Sequence, residues 1–112
     1  MTLPLTPAML AGAYEYLRTT PPFRYYALRP AEEVEFAVTR HVDREGDYID
    51  DPQAERLVIR VSENSIGSTD VLMQVIAHEM VHLRHGPAHG ASFRRAAKRV
   101  CLLHGWDAKR FV

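Results

Sequence analysis

A long amphipathic segment is the sequence feature that most limits how this chain can fold. Mainly apolar side chains recur at spacings of three and four over residues 72–83, which predicts one inner face of an α-helix. This face consists of Leu72, Val75, Ile76, Glu79, His82 and Leu83. Ser68, Thr69 and Asp70 are each suitable N-caps, and Gly86-Pro87 predicts the end of the helix. The sequence therefore predicts one long helix whose inner face points toward the interior.

The residues before this helix predict a shorter helix and a small sheet. Thr6-Pro7 is typical of an N-cap and a first helical position, and Pro21-Pro22 predicts the end of that helix. Alternating side chains predict strands over residues 34–38 and 57–61, each with one buried face. The polar residues 43–51 predict a turn or an irregular hairpin loop. The sheet is expected to be small and mostly antiparallel.

A further helix is predicted after the Gly86-Pro87 break. Its inner face is expected to consist of Phe93, Ala96, Ala97, Val100, Cys101 and His104, and its outer face of Arg94, Arg95, Lys98 and Arg99. Gly105 is a suitable C-cap, and residues 106–112 are expected to pack back on the domain as a tail. The order helix, strands, helix, helix predicts an α+β fold.

Length and composition favour one globular domain. The 112 residues are 46% hydrophobic and 25% charged, which predicts a single domain over residues 1–112. No apolar run approaches the roughly 18 residues of a membrane span, and the first residues do not resemble a secretory signal. The single cysteine, Cys101, excludes an internal disulfide framework and is expected to be a core residue. A cytoplasmic protein is therefore expected.

The pentapeptide His78-Glu79-Met80-Val81-His82 is the strongest indication of function in the sequence. Histidines four residues apart lie one turn apart on the same helical face, so both imidazoles can reach one metal ion. The intervening Glu79 is turned about 100° around the axis and lies beside the ion, where it can take a proton from metal-bound water. This pattern is typical of the metallopeptidase helix. The alternative is a helix whose two histidines are polar surface residues.

A catalytic zinc needs a third protein ligand and one open position. His85 lies roughly 10.5 Å along the helix from His78, too far to share its ion, and is expected to face solvent. His89 is the better candidate, because the chain turns back after the helix and His89 then opens the next one. His104 is expected to be a core histidine with one hydrogen bond, rather than a residue that supports a ligand or the chemistry. No sequence signal places His41.

These residues resemble the motif of the SprT-like zinc metallopeptidases. In that family His-Glu-x-x-His is followed, after a short and variable gap, by His-Gly-x-x-Phe, which corresponds here to His89-Gly90-Ala91-Ser92-Phe93. Residues 57–62 are similar to the strand that flanks the catalytic cleft in the family. The resemblance covers residues 56–105 and implies a zincin-like fold, with His78, His82 and His89 as zinc ligands and Glu79 as general base.

The sequence departs from the larger family members in two respects. Its gap between His82 and His89 is shorter than in the DNA–protein-crosslink proteases and is similar to that of the WLM-type metal-dependent hydrolases. With one cysteine it lacks the cysteine-rich zinc ribbon of those proteases. It therefore resembles the minimal catalytic core of the family.

Three functional hypotheses remain open. The first is a zinc metalloendopeptidase in which Glu79 activates zinc-bound water, with protein or peptide substrates that include DNA-associated proteins. The second is a catalytically silent zinc module that binds DNA or a protein partner, although the intact Glu79 argues against it. The third is a metal-free helical interaction domain.

The charge distribution adds a candidate partner. Residues 1–77 carry 7 Lys/Arg and 12 Asp/Glu, whereas residues 78–112 carry 7 and 2, although the net charge is zero. One interpretation is two halves that neutralise each other. The other is weak, sequence-independent DNA binding, which the family resemblance favours. The residues that would carry it are Arg94, Arg95, Lys98 and Arg99, with Lys109 and Arg110 nearby in sequence.

Overall fold

The chain forms a three-stranded sheet and four α-helices within residues 5–40, 44–63 and 69–111, the parts that the computed structural model describes. In chain order the elements are α1 (Pro7–Arg18), β1 (Glu35–Thr39), β2 (Gly46–Asp51), β3 (Arg56–Ser62), α2 (Thr69–His85), α3 (Ala91–His104) and α4 (Ala108–Phe111). Two short 3-10 turns, Phe23–Tyr25 and Ala31–Glu33, connect α1 to β1. The predicted α+β class is confirmed.

The N-terminal helix α1 begins as its capping residues predict. The Thr6 hydroxyl accepts a hydrogen bond from the Met9 amide at 3.3 Å, and Pro7 lies in the first turn. The buried face of α1 consists of Leu10, Ala13, Tyr14 and Leu17. The Tyr14 hydroxyl donates to the Arg29 carbonyl at 2.6 Å, which ties α1 to the segment that leads into β1.

The sheet is mixed rather than mostly antiparallel. Its order is β1-β3-β2, and the central strand β3 is parallel to β1 and antiparallel to β2. The chain reverses direction once before β2 and once after it, so β3 returns parallel to β1. Leu57, Ile59 and Val61 of β3 are buried, as their alternation predicts.

The edge strand β2 lies where a turn or an irregular loop was predicted, so that prediction was wrong. Its three aspartates disfavour a strand by composition. Asp47, however, lies opposite Arg60 of β3 and accepts two hydrogen bonds from its guanidinium, each at 2.6 Å. This cross-strand ion pair, and an edge position that leaves outward side chains in solvent, allow a polar segment to remain a strand.

The central helix α2 is buried on more than its predicted inner face. Its predicted start is confirmed at Thr69, and the alternative cap Ser68 lies outside the described residues. All six predicted inner residues are buried or half-buried. Ala77, Met80 and Val81 are buried as well, because α1, α3 and the sheet all pack against this helix.

The C-terminal part follows its predicted pattern with one addition. Phe93, Ala97, Val100 and Cys101 of α3 are buried, and Gly105 ends the helix at a φ of 76°, in the left-handed region that glycine favours. The tail packs back on the domain as predicted, and its residues Ala108–Phe111 form the short helix α4, whose Phe111 is buried. No described helix is long and apolar enough to cross a membrane.

Candidate metal centre

Three imidazole rings converge between α2 and the start of α3. Nε2 of His82 lies 3.2 Å from Nε2 of His78 and 3.0 Å from Nε2 of His89. One nitrogen from each of the three site histidines lies within 4.8 Å of the others, which is a group that can hold a metal ion. His78 and His82 reach this point from successive turns of α2, and His89 reaches it from the connection to α3. The three residues predicted as ligands are therefore brought together.

Main-chain carbonyl groups fix the orientation of two of these rings. Nδ1 of His78 donates to the Phe111 carbonyl at 2.8 Å, and Nδ1 of His82 donates to the Gly86 carbonyl at 2.9 Å. A carbonyl oxygen can only accept, so the proton of each neutral ring is on Nδ1 and the lone pair is on Nε2. Two lone pairs then face each other across 3.2 Å. A cation between them removes this repulsion, so the donor set fits a metal ion.

Burial keeps these two rings neutral. It lowers the pKa of His78 to about 4 and also lowers the pKa of His82, and the neighbouring site histidines add to the decrease for both. Hydrogen bonds to the Phe111 and Gly86 carbonyls oppose the decrease. A neutral imidazole is the form that ligates a metal.

A turn after α2 brings His89 back toward the helix. Gly86 has a φ of 85°, which reverses the chain at low cost because glycine has no side chain. His89 was expected to open α3 but lies two residues before that helix begins at Ala91. Its ring is exposed and stacks on Phe93, with ring centroids 4.5 Å apart and planes inclined by 12°.

Phe93 forms an apolar backing for the whole group. Its ring centroid lies 4.5 Å from those of His82 and His89 and 5.2 Å from that of His78. On the opposite side, the Tyr48 ring of β2 stacks on His82 at 5.6 Å. These aromatic contacts restrict the rotamers of the site histidines, which preserves the geometry of the group.

Glu79 lies beside the three histidines and is not one of the group. Its side chain is buried, with the residue 4% exposed. Burial raises the pKa of its carboxyl group to about 7, and the negative charge of Asp47 contributes to the increase. The carboxyl group packs near Gly46 of β2, where an added Cβ would lie 3.6 Å from Oε2 of Glu79. The strand can approach the helix this closely because position 46 has no side chain.

A cleft of about 510 Å³ gives access to the site, and we call it the metal cleft. It is lined on one side by Arg44, Glu45 and Gly46, on another by α2, and at its end by Arg110 and Phe111. The strand that flanks it is therefore β2 with the residues just before it. The sequence resemblance assigned this position to residues 57–62, but these form the central strand β3 and do not line the cleft.

Among the residues that the structure describes, His85 and His104 are the histidines outside this group of three. His85 was expected to face solvent but is half-buried, because Nδ1 lies 2.7 Å from the Ser92 hydroxyl and its ring packs on Tyr26. His104 is half-buried with one hydrogen bond, at 3.2 Å to the Pro21 carbonyl, close to what was predicted. His41 lies outside the described residues.

The residues predicted to bind DNA lie at the protein surface, and some of them also line two cavities. All are exposed, but Arg94 donates to the His89 carbonyl at 3.2 Å and Arg110 lines the metal cleft. Arg95 and Arg99 instead line a separate cavity. The basic C-terminal part is thus divided between two sites.

Three supporting groups of the metal site were missed by sequence reasoning. The carbonyls of Phe111 and Gly86 are main-chain groups, which residue types do not reveal. Tyr48 lies in the segment wrongly predicted as a loop. Phe93 was recognised as an inner residue and as part of the family motif, and its contact with all three rings is a structural finding.

No family model, curated protein or solved structure matches this chain. The similarity to SprT-like metallopeptidases therefore rests on the sequence resemblance over residues 56–105, with its motifs at residues 78–82 and 89–93. Membership of that family stays a prediction.

Proposed function

We propose that this protein is a zinc-dependent metalloendopeptidase with the minimal catalytic core of the SprT-like family. The observation that carries the proposal is the convergence of three histidine nitrogens beside one buried carboxyl group, that of Glu79. A structural metal site normally fills its fourth position with a protein ligand, whereas a catalytic site keeps it open. Three ligands at the side of a cleft favour the catalytic alternative.

Zinc is the proposed metal because three imidazole nitrogens with one open position are typical of catalytic zinc sites. When bound, zinc supplies Lewis-acid polarisation of a carbonyl group and lowers the pKa of water. The protein's own residues orient the ligands, since the Phe111 and Gly86 carbonyls hold the Nδ1 protons of His78 and His82.

Glu79 is the proposed general base and then general acid. Its carboxyl group has a pKa of about 7 in the metal-free protein, because burial and Asp47 disfavour the charged form. A group whose pKa is close to the working pH can take a proton from the attacking water and return it to the leaving amine. The close packing of Gly46 holds the carboxyl group on one side of the metal cleft.

The proposed substrates are flexible or unfolded protein chains. The metal cleft is bordered by β2, which is an edge strand of the sheet. An extended peptide fits such a place because its backbone can pair with an edge strand. DNA-associated proteins are included among the substrates on the family resemblance alone.

The experiment that tests the peptidase proposal is a comparison of wild type, Glu79→Gln and Glu32→Gln. The last is a matched control, because Glu32 is an exposed glutamate outside the metal cleft. Each zinc-loaded protein is incubated with an unfolded protein, and the fragments are quantified by mass spectrometry. Glu79→Gln is expected to keep its zinc and to lose about 10²- to 10⁴-fold in cleavage rate, and Glu32→Gln to match wild type.

Either of two results would replace the proposal. If wild type binds zinc and cleaves nothing, and Glu79→Gln equals it in every functional measurement, the protein is a silent zinc module. If purified wild type holds no metal and gains none on addition of zinc, the third hypothesis, a metal-free interaction domain, takes its place.

Weak DNA binding and a cytoplasmic location are separate proposals. The exposed side chains of Arg94, Arg95, Lys98 and Arg99 along α3 support binding to phosphate groups without base recognition. A fluorescence titration with single- and double-stranded DNA is expected to show weak binding that decreases steeply with salt, and absence of binding at low salt would contradict it. The proposed cytoplasmic location is based on the single cysteine, because a chain without disulfide bonds suits a reducing compartment.

A further inference from the structure

A second cavity of about 450 Å³ lies between α2, α3 and the turn after α1, and we call it the arginine pocket. Its lining consists of Pro22, Tyr25, Tyr26, Arg84, His85, Ser92, Arg95, Ala96 and Arg99. The metal cleft and the arginine pocket share no lining residue. The volume is within the range of small-molecule sites, and the lining contains three arginines and no carboxylate.

The three arginines of this pocket lack the partners that other arginines of the chain have. Arg56 and Arg60 each form an ion pair, with Glu35 and Asp47 respectively. Across residues 5–40, 44–63 and 69–111, the side chains of Arg84, Arg95 and Arg99 form no hydrogen bond and no ion pair. Three uncompensated positive charges in one cavity favour an anionic ligand.

The electrostatic effects on neighbouring groups agree with this interpretation. Burial raises the pKa of the Tyr26 hydroxyl, and Arg84 and Arg99 oppose the increase. Burial lowers the pKa of His85, and Arg84 and Arg95 lower it further. In the described part of the chain, the charged groups that act on these two side chains are all arginines. The pocket interior therefore has a positive potential.

The other walls supply a hydroxyl group and aromatic rings. Ser92 lies at the first turn of α3, and its hydroxyl is held by Nδ1 of His85 at 2.7 Å. Tyr25 lines the pocket and is 66% exposed, and the Arg24 guanidinium covers one face of its ring at 4.8 Å from the centroid, which leaves the other face for a ligand. Guanidinium groups bind phosphate oxygens in pairs of hydrogen bonds, and exposed tyrosine rings stack on planar bases.

We propose that the arginine pocket binds a nucleotide, with the phosphate on Arg84, Arg95 and Arg99 and the base against Tyr25. The nucleotide is either a free mononucleotide or one unit of a single strand, since the recognised chemistry is the same. The proposal does not depend on peptidase activity, because the pocket contains no metal-site residue.

The test is calorimetric titration with AMP, with a short single-stranded oligonucleotide and with inorganic phosphate. Two double variants of equal charge are compared, Arg84→Gln/Arg99→Gln in the pocket and Arg29→Gln/Arg40→Gln at exposed positions outside both cavities. The first is expected to weaken AMP binding at least about tenfold and the second less than about threefold. Circular dichroism confirms that both variants are folded. Tyr25→Ala is expected to weaken AMP binding but not phosphate binding.

Each outcome decides the proposal. If AMP binds as tightly as the oligonucleotide, the ligand is a free nucleotide. If the oligonucleotide binds more tightly than AMP, and the pocket variant loses affinity for both to the same extent, the ligand is a single strand. Equal losses in the two double variants would assign binding to the overall positive charge of the protein surface and overturn the proposal. The proposal would also fail if no probe binds or if inorganic phosphate binds as tightly as AMP. It would fail as well if a chelator abolishes AMP binding, because the phosphate group of AMP would then bind a metal ion rather than the arginines.

Discussion

The main-chain carbonyl of Phe111 accepts a hydrogen bond from Nδ1 of His78 at 2.8 Å, across 33 residues of sequence. The tail reaches this position because Trp106 stacks on Phe111 and its Nε1 donates to Asp70 at 3.0 Å, near the start of α2. The C-terminal segment thus holds a histidine of the candidate metal centre in its orientation through a main-chain group rather than a side chain.

Removal of the Phe111 ring is therefore expected to weaken metal binding. Phe111→Ala deletes the buried side chain that anchors the tail, so the carbonyl is no longer held against His78. Zinc affinity, measured by competition with a chelating dye, is expected to fall about 10- to 100-fold, as for other groups that orient a ligand. Leu102→Ala is the control, because Leu102 is 83% exposed. Equal zinc affinity of a folded Phe111→Ala protein and wild type would contradict the proposed role of the tail.

The ligand assignment predicts opposite results at two neighbouring histidines. His89→Ala is expected to lose most zinc affinity, and with it the stabilisation that metal binding gives to the fold. His85→Ala is expected to keep one zinc per chain, because His85 contacts Ser92 and Tyr26 instead. Metal content and the melting temperature with and without zinc are the measurements. Full zinc in the His89 variant and loss in the His85 variant would reverse the assignment.

Close packing at Gly46 predicts that a side chain added at this position destabilises the fold. In Gly46→Ala the new Cβ would lie 2.9 Å from Cγ1 of Val75 and 3.0 Å from the Arg60 carbonyl, so β2 must move away from α2. The free energy of unfolding is expected to fall by about 1–3 kcal/mol, as in other overpacked sites. Gly12→Ala is the matched control, because no atom lies within 4 Å of its added Cβ, and it is expected to stabilise α1 by about 0.5–1 kcal/mol. Urea denaturation distinguishes the two, and similar values would refute the packing argument.

The pKa of Glu79 predicts a pH dependence in the metal-free protein. The carboxyl group has a pKa of about 7 in the folded protein, against the ordinary 4.5 of a glutamate, so between these pH values the folded state binds more protons than the unfolded state. Wild type should therefore lose stability relative to Glu79→Gln as the pH rises from 4.5 to 7, by up to about 3 kcal/mol. The pKa of His78 is lowered to about 4, so its effect on the pH dependence of stability has the opposite sign. This effect is the same in wild type and in Glu79→Gln.

Urea denaturation in a chelator at several pH values measures this difference. Below pH 4.5 the two proteins should be equally stable, and above pH 7 their difference should be constant. With zinc added the difference should shrink, because a nearby cation stabilises the carboxylate. A difference that does not change with pH would show that burial does not shift this group.

Sequence periodicity predicted α1, α2 and α3 because their caps, breaks and apolar faces are local, whereas the short helix α4 was not predicted. The Thr6 cap, the end of α2 before Gly86 and the Gly105 cap all follow from single residues. The strand β2 could not be predicted in this way. Its stability comes from pairing with β3 and from the contact of Asp47 with Arg60, which are 13 residues apart.

The candidate site was predictable as far as its side chains are concerned. The spacing of His78 and His82 on one helix, and the turn that returns His89, are sufficient to place three rings together. The carbonyl partners were not predictable, because every residue has a carbonyl and only the tertiary fold selects Phe111. The half-buried position of His85 was also missed, since it depends on Tyr26 and Ser92 from other elements.

His82 and Gly86 are joined by two hydrogen bonds. The Gly86 amide donates to the His82 carbonyl at 2.8 Å, and Nδ1 of His82 donates to the Gly86 carbonyl at 2.9 Å. The last turn of α2 and the orientation of a candidate ligand are therefore coupled, so we expect fraying of the helix end and release of a bound ion to be a single local opening event. Amide hydrogen exchange at this turn then reports metal occupancy without any functional assay.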